Sequence, residues 1–310
     1  MQLSGGVARA TITDSNGHYH FDNVPVANFY TVTPALVNYH FSPESNSFSL
    51  FANKTDASFS ATRDTVLVGN PIDTTEYFVR QHYLDFLGRE PDDSGFNFWS
   101  DQIRSCGNDT ACSERRTVSV SAAYFLSIEF QETGGLVDGL YRASFGRRPL
   151  FNEFMPDTAE VARDVRVGDG DWAAQLNANK QAFVEAWIRR SAFRAGYDGL
   201  SNEGFVDTLL GHAGVNVSQA ERDAFVSDLG RGASTRAGLL RRIVEDDRVR
   251  SARRNEAFVT MQYFGYLRRD PDEAGYQFWL QKLRQFGGNF EQAEMVKAFI
   301  VSSEYRNRFR

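Results

Sequence analysis

The sequence predicts a small antiparallel β-sandwich followed by an all-α domain of degenerate helical repeats. Three observations carry this. Residues 1–63 hold three Lys/Arg and four Asp/Glu, whereas the remaining 247 residues hold 31 and 36, so charge density more than doubles across a polar seam around Thr62 to Asp73. Before the seam, short runs alternate apolar and polar residues between Asn, Gly and Pro, the pattern of half-buried strands. After it, one string of residues is written twice, 180 positions apart: Phe78-Val79, Tyr83, Leu87-Gly88-Arg89-Glu90-Pro91-Asp92, Gly95, Phe98-Trp99, and then Phe258-Val259, Tyr263, Leu267-Arg268-Arg269-Asp270-Pro271-Asp272, Gly275, Phe278-Trp279.

In the N-terminal part, Ala8 to Thr13 alternates, Asp14-Ser15-Asn16-Gly17 supplies turn residues, and His18 to Phe21 reads as the return strand of a hairpin. Phe29 to Pro34, Ser47 to Phe51 and Ala57 to Ala61 read as further strands of a β domain over residues 1–63. In the helical part, residues 74–310, Phe78, Val79, His82, Tyr83, Phe86 and Leu87 share one helix face and Gly88 is the stop. Pro91 reads as a first-turn residue of the next helix, with Asp92 and Asp93 suited to its positive end. Phe96, Trp99 and Ile103 continue the apolar stripe.

Leu136-Val137, Tyr141 and Phe145-Gly146-Arg147-Arg148-Pro149 form a third copy with the same eight-residue step from Tyr to Pro. A remnant begins at Phe205-Val206, without the Arg and Pro. Four units follow, about 76–133, 134–200, 203–253 and 256–310. Units this short cannot bury their aromatic faces alone, so neighbours are expected to stack. The first and last units close on Ser127-Ile128-Glu129-Phe130 and Ser302-Ser303-Glu304-Tyr305.

Several function classes are disfavoured by composition. A net charge of −6 and a pI near 5.5, with arginines interspersed among acids, argue against binding nucleic acid by phosphate neutralisation. No apolar run approaches the ~20 residues that span a bilayer, and Met1 to Gly17 lacks the design of a signal peptide. A P-loop, a dinucleotide fingerprint and a Ser nucleophile elbow are not written in the chain.

Cys106 and Cys112 flank five residues in a stretch that lengthens the first unit: Trp99 to Phe130 spans 31 positions, Trp279 to Tyr305 spans 26. Without nearby His they make no zinc site, and the spacing is not that of a redox pair. They read as a local disulfide if the protein is exported, and as two thiols if it is not. His18, His20 and His40 read as strand histidines rather than metal ligands. Arg89, Arg147 and Arg269 read as guanidinium groups that cap carbonyls or pair with Asp92 or Asp272, with a ligand-binding role as the alternative. Trp99, Trp172 and Trp279 read as core anchors, with sugar stacking as the alternative. The insertion from Leu150 to Asp171 breaks the pattern, and its Glu153, Asp157, Asp169, Asp171 and Trp172 are the candidate ligand surface. Asp169-Gly170-Asp171 is too short for a calcium loop of the EF-hand kind.

Two family resemblances attach to these residues. Asp14-Ser15-Asn16-Gly17-His18-Tyr19-His20-Phe21-Asp22-Asn23-Val24-Pro25, followed by Tyr30-Thr31-Val32-Thr33-Pro34, resembles the carboxypeptidase-regulatory-like β-sandwich domains of bacterial secreted proteins. Those domains begin one or two strands earlier, so the resemblance implies a strand edge left without its neighbour. The motif from Tyr83 to Trp99 and from Tyr263 to Trp279 resembles the bacterial domain of unknown function 4214 family, which is distantly similar to the helical linker domains of light-harvesting rods. The resemblance implies a non-catalytic helical adaptor in a secreted or cell-surface protein. It carries over only to Tyr83, Arg89, Pro91, Gly95, Trp99, Tyr263, Arg269, Pro271, Gly275 and Trp279, with Tyr141, Arg147 and Pro149 as the third set.

The expected function is attachment or protein assembly by the helical domain, without catalysis or cofactor, the partner being a protein or a surface polysaccharide. Carbohydrate binding by the β domain, through Tyr19, Tyr30, Tyr39 or Phe41, is the first alternative. A hydrolase using the acids of the 150–171 insertion is the second.

Overall fold

The computed structural model describes residues 1–310 except 12, 15, 37–38 and 64–68. Part of the predicted hairpin turn and the centre of the predicted seam therefore lie outside the described residues. A small N-terminal antiparallel sheet region is followed by a helical region.

The strands are β1 (Gln2–Gly5), β2 (Arg9–Ala10), β3 (Asn28–Thr33), β4 (Tyr39–Ser42), β5 (Asn46–Leu50) and β6 (Ser60–Arg63). They form a four-stranded sheet in the order β2-β1-β3-β5 and a two-stranded sheet of β4 and β6. Alternation sorts the larger sheet: Leu3, Tyr30 and Val32 are buried against Val7, Tyr19, Phe21, Phe48, Leu50 and Phe59, as a two-residue period requires. β1 lies inside the sheet, between β2 and β3. The return strand expected at His18 to Phe21 is absent. The Asp14 carboxylate accepts from the backbone N–H of Asn16 and His18 instead, an Asx turn that competes with strand pairing, and the Tyr19 hydroxyl donates to the Ala57 carbonyl.

The helices are α1 (Thr75–His82), α2 (Asp93–Arg104), α3 (Thr110–Leu126), α4 (Ile128–Phe145), α5 (Phe151–Val161), α6 (Trp172–Trp187), α7 (Ser191–Tyr197), α8 (Asn202–Ala213), α9 (Gln219–Gly230), α10 (Arg236–Val244), α11 (Asp247–Gln262), α12 (Glu273–Gln285), α13 (Met295–Val301) and α14 (Ser303–Asn307). α1 runs on into a π turn, Tyr83–Leu87, and α11 into another, Tyr263–Leu267.

The chain divides into two compact units. One holds Met1–Phe125, Gly265–Arg268 and Glu294–Arg310; the other holds Leu126–Phe264 and Arg269–Ala293. The first unit holds the first copy of the motif. Its π turn packs on residues 265–268 of the last copy: the Phe86 and Tyr266 rings lie 5.3 Å apart, and Tyr77 meets Phe309 edge to face at 5.5 Å. In the second unit α4 is the hub, packed on α5, α8, α10 and α11, with Leu136, Val137 and Leu140 buried. The Leu150 to Asp171 insertion is helical in its first half and mostly exposed turns in its second. The first half is α5, whose buried Phe154 lies 5.2 Å from the Phe264 ring and 6.4 Å from Phe130.

Candidate functional site

The motif builds a helix, a left-handed stop and a restarted helix. Gly88 closes the first π turn at φ 66°, where its N–H donates to the Tyr83 carbonyl, a conformation that glycine adopts without cost. Gly146 ends α4 at φ 65°, and Arg268 takes the same place at φ 56° in the last copy. The next helix starts at Asp92 or Asp272, whose carboxylate accepts from the N–H of Gly95 or Gly275 at 2.8 Å, the usual N-cap bond. Hydrogen bonds from Ser94 and from the Gly95 amide hold the Asp92 carboxyl down at about 2. Pro91 and Pro271 thus precede the cap; they are not in the first helical turn, because the caps fall at Asp92 and Asp272.

The recurring arginine lies over the recurring tyrosine. Arg89 sits 5.0 Å from the Tyr83 ring, Arg147 5.1 Å from Tyr141 and Arg269 5.3 Å from Tyr263. Each also donates to the carbonyl of the following residue, at 3.1, 3.0 and 3.0 Å. The guanidinium therefore folds back across the stop and ties ring to turn, a cation-π clip. Gly95 and Gly275 have one more reason to be glycine: a Cβ at either would occupy the space held by the Tyr83 or Tyr263 hydroxyl. At the third copy Leu150 stands at the cap instead of aspartate, and the Tyr141 hydroxyl donates to Asp157 at 2.9 Å.

The predicted ligand surface is dispersed. Glu153 accepts two bonds from Arg147 and one from the Leu150 N–H, which completes the start of α5. Asp157 is buried and grips Arg190 through both oxygens, at 2.8 and 2.7 Å. Asp169 is exposed, and Asp171 caps α6 by accepting from Ala174. These acids serve α5 and α6 and form no facing pair of free carboxylates. Trp99, Trp172 and Trp279 are half-buried rather than core anchors. The fully buried tryptophan is Trp187, whose indole N–H donates to Ser144 at 3.0 Å. Cys106 and Cys112 are joined by a disulfide, with Cα atoms 5.5 Å apart, linking the end of α2 to α3.

The outward turn of two motif rings and one buried cluster went unread in the sequence. Phe98 and Phe278 stand out from α2 and α12, 55% and 57% exposed, each edge-on to the adjacent tryptophan at 4.8 and 5.0 Å. Helical spacing from Trp99 to Ile103 fixed the buried side, so Phe98, one position back, had to turn outward. The other feature is a buried ion cluster. Arg308 donates to Asp85 at 2.8 Å and to the Gly265 and Tyr266 carbonyls at 3.2 and 2.6 Å, with Arg268 4.0 Å from the same carboxylate. Burial pulls the Arg268 guanidinium down to about 10. Beside it, the Nδ1–H of His82 donates to the Phe78 carbonyl at 2.8 Å, which leaves Nε2 to accept from Ser121 at 2.6 Å; the Ser121 hydroxyl also contacts the Tyr266 hydroxyl. A polar residue in an apolar stripe, Asp85, was the available signal. Asp85, His82, Ser121 and Tyr266 are buried and the two arginines only part-exposed, so these groups tie elements of the fold together.

Among the described residues no group of three His, Cys, Asp or Glu is placed to hold a metal ion, and no helix is long and apolar enough to cross a membrane. No curated protein and no solved structure matches the chain. Residues 67–112 and 247–309, the stretches that contain the first and last copies of the motif, match the family model described as Domain of unknown function (DUF4214), and the chain is similar to that family over both.

Proposed function

We propose that this is a non-catalytic secreted or cell-surface protein whose helical repeats mediate attachment by protein-protein assembly. The observation that carries this reading is the duplicated exposed aromatic: Phe98 and Phe278 occupy the same place in the two best-kept copies, each on a helix whose start is fixed by the same Asp cap and Arg-Tyr clip. Rigidly presented aromatic rings are the usual anchors of protein interfaces. The acids and arginines of the motif are meanwhile spent on ion pairs, which leaves packing rather than bond-making as the chemistry on offer. The Cys106–Cys112 disulfide supports export, since such bonds persist in oxidising compartments.

The test is sedimentation of the full chain, alone and with surface-protein extracts, against Phe98→Ser/Phe278→Ser. A concentration-dependent complex that the double substitution weakens is the expected result. Identical behaviour of both proteins in every mixture would sink the proposal.

A further inference from the structure

The outward face of the larger sheet carries a second surface, independent of the helices. With Leu3, Tyr30, Val32, Phe48 and Leu50 turned inward, alternation turns Gln2, Ser4, Phe29, Thr31, Thr33, Ser47 and Ser49 outward. Register aligns them in rows: Gln2 beside Thr33; Ser4, Thr31 and Ser47 together; Phe29 beside Ser49. Phe51 follows directly beyond β5. Phe29 is 59% and Phe51 78% exposed.

This face carries the low charge of residues 1–63 to its limit. β1, β3 and β5 read Gln-Leu-Ser-Gly, Asn-Phe-Tyr-Thr-Val-Thr and Asn-Ser-Phe-Ser-Leu, without one charged residue, in a protein that is 24% charged. Three adjacent strands thus present hydroxyls and an amide, with two rings at one end. The Thr31 and Ser47 hydroxyls are 2.8 Å apart, which pre-orients them. The rows cross three strands, about 10 Å.

From these facts we infer that the β1-β3-β5 face binds a neutral polysaccharide. The pairing is one of charge and chemistry. A face without ionic groups gives an anionic or cationic polymer nothing to neutralise, and a nucleic acid nothing for its phosphates. A dry protein interface would strip water from the hydroxyls without replacing each bond. A neutral sugar chain supplies both needs: C–H faces that lie on Phe29 and Phe51, and hydroxyls that exchange bonds with Ser4, Thr31, Thr33, Ser47 and Ser49. The rings expected from the sequence do not serve. Tyr30 is buried and donates to the Pro25 carbonyl, while Tyr19, Tyr39 and Phe41 are half-buried.

The test is affinity electrophoresis of the full chain in gels containing hydroxyethyl cellulose, glucomannan or dextran, with alginate as the anionic control. At least one neutral polymer retards the protein, and Phe29→Ala/Phe51→Ala weakens the retardation about tenfold or more, the loss of two stacked rings. Ser49→Asp, which puts a charge on the face, weakens it as well. Both substitutions lie on exposed positions, and unchanged unfolding midpoints verify that the fold is intact. Phe98→Ser/Phe278→Ser leaves retardation as it was, so failure here and failure of helix-mediated assembly are read separately. Retardation by none of the three neutral polymers, by alginate alone, or equally in the Phe29/Phe51 variant overturns the inference.

Discussion

The first and last copies of the motif share their turns and caps but differ in the stretch where the first packs on residues 265–268 of the last. Asp85, Phe86 and Gly88 of the first correspond to Gly265, Tyr266 and Arg268 of the last, and His82 to Gln262. The differences are complementary. Where one copy has Asp85 the other supplies Arg268, and where one has the Phe86 ring the other has Gly265, with no Cβ to obstruct it. An aspartate at 265 would drive its side chain into the Phe86 ring, and a glycine at 268 would remove one of the cations beside Asp85. The contact is therefore a fit between unlike residues, while the clip arginine, the proline, the Asp cap, its glycine and the Phe-Trp pair are common to both copies.

The largest break comes from the centre of this contact. Asp85→Ala leaves Arg268 and Arg308 buried without a counter-charge and is expected to cost about 3–5 kcal/mol, read from the urea midpoint of the full chain. Next is acid. Burial pulls the His82 imidazole down to about 4, so the unfolded chain, with an ordinary His near 6.5, binds the proton first. Stability is complete above pH 6.5 and is lost as pH falls from there toward 4, by about 2–3 kcal/mol at pH 4.5. His82→Gln, which copies the residue of the last motif, removes this part of the slope between unfolding curves at pH 7.5 and 4.5.

Gly265→Ala drives a methyl into the Phe86 ring, at about 1–3 kcal/mol. A Phe86→Leu background recovers part of it, and additive effects would show that the two residues do not share the space. The smallest effect tests what the copies have in common: Arg89→Met and Arg269→Met should each cost about 0.5–1 kcal/mol by loss of the cation-π clip. Unequal values would mean that the outward halves have diverged too.

Much of the helical stop and restart was legible, because Gly88, Asp92 and Gly95 each answer to a local rule. The proline was placed one step too far, since a cap three residues before glycine outranks the preference of proline for a first turn. Partnership was not legible. Nearest-neighbour stacking is the default for short repeats, and nothing local marks Asp85 and Arg308, 223 positions apart, as partners. The same holds for Glu153 and Asp157: an acid-rich insertion looks like surface until Arg147 and Arg190 are seen to claim it. Phe29 could have been read from the sheet period, once Tyr30 and Val32 were taken as inward.

The clasp of Arg308 over the two π turns also sets an order of assembly. During synthesis the first copy leaves the ribosome more than 160 residues before Gly265 and Tyr266, so Asp85 and the side of Phe86 that faces Tyr266 must wait, through the folding of the intervening unit, for their partners to arrive. Pairing so distant in sequence is slow and leaves apolar surface open meanwhile. A chain released after Val301 should accordingly be cut by protease near Phe86 at conditions where the full chain resists, and equal resistance would place the decisive closure earlier. Closure of this contact thus waits on a residue made 223 positions after Asp85.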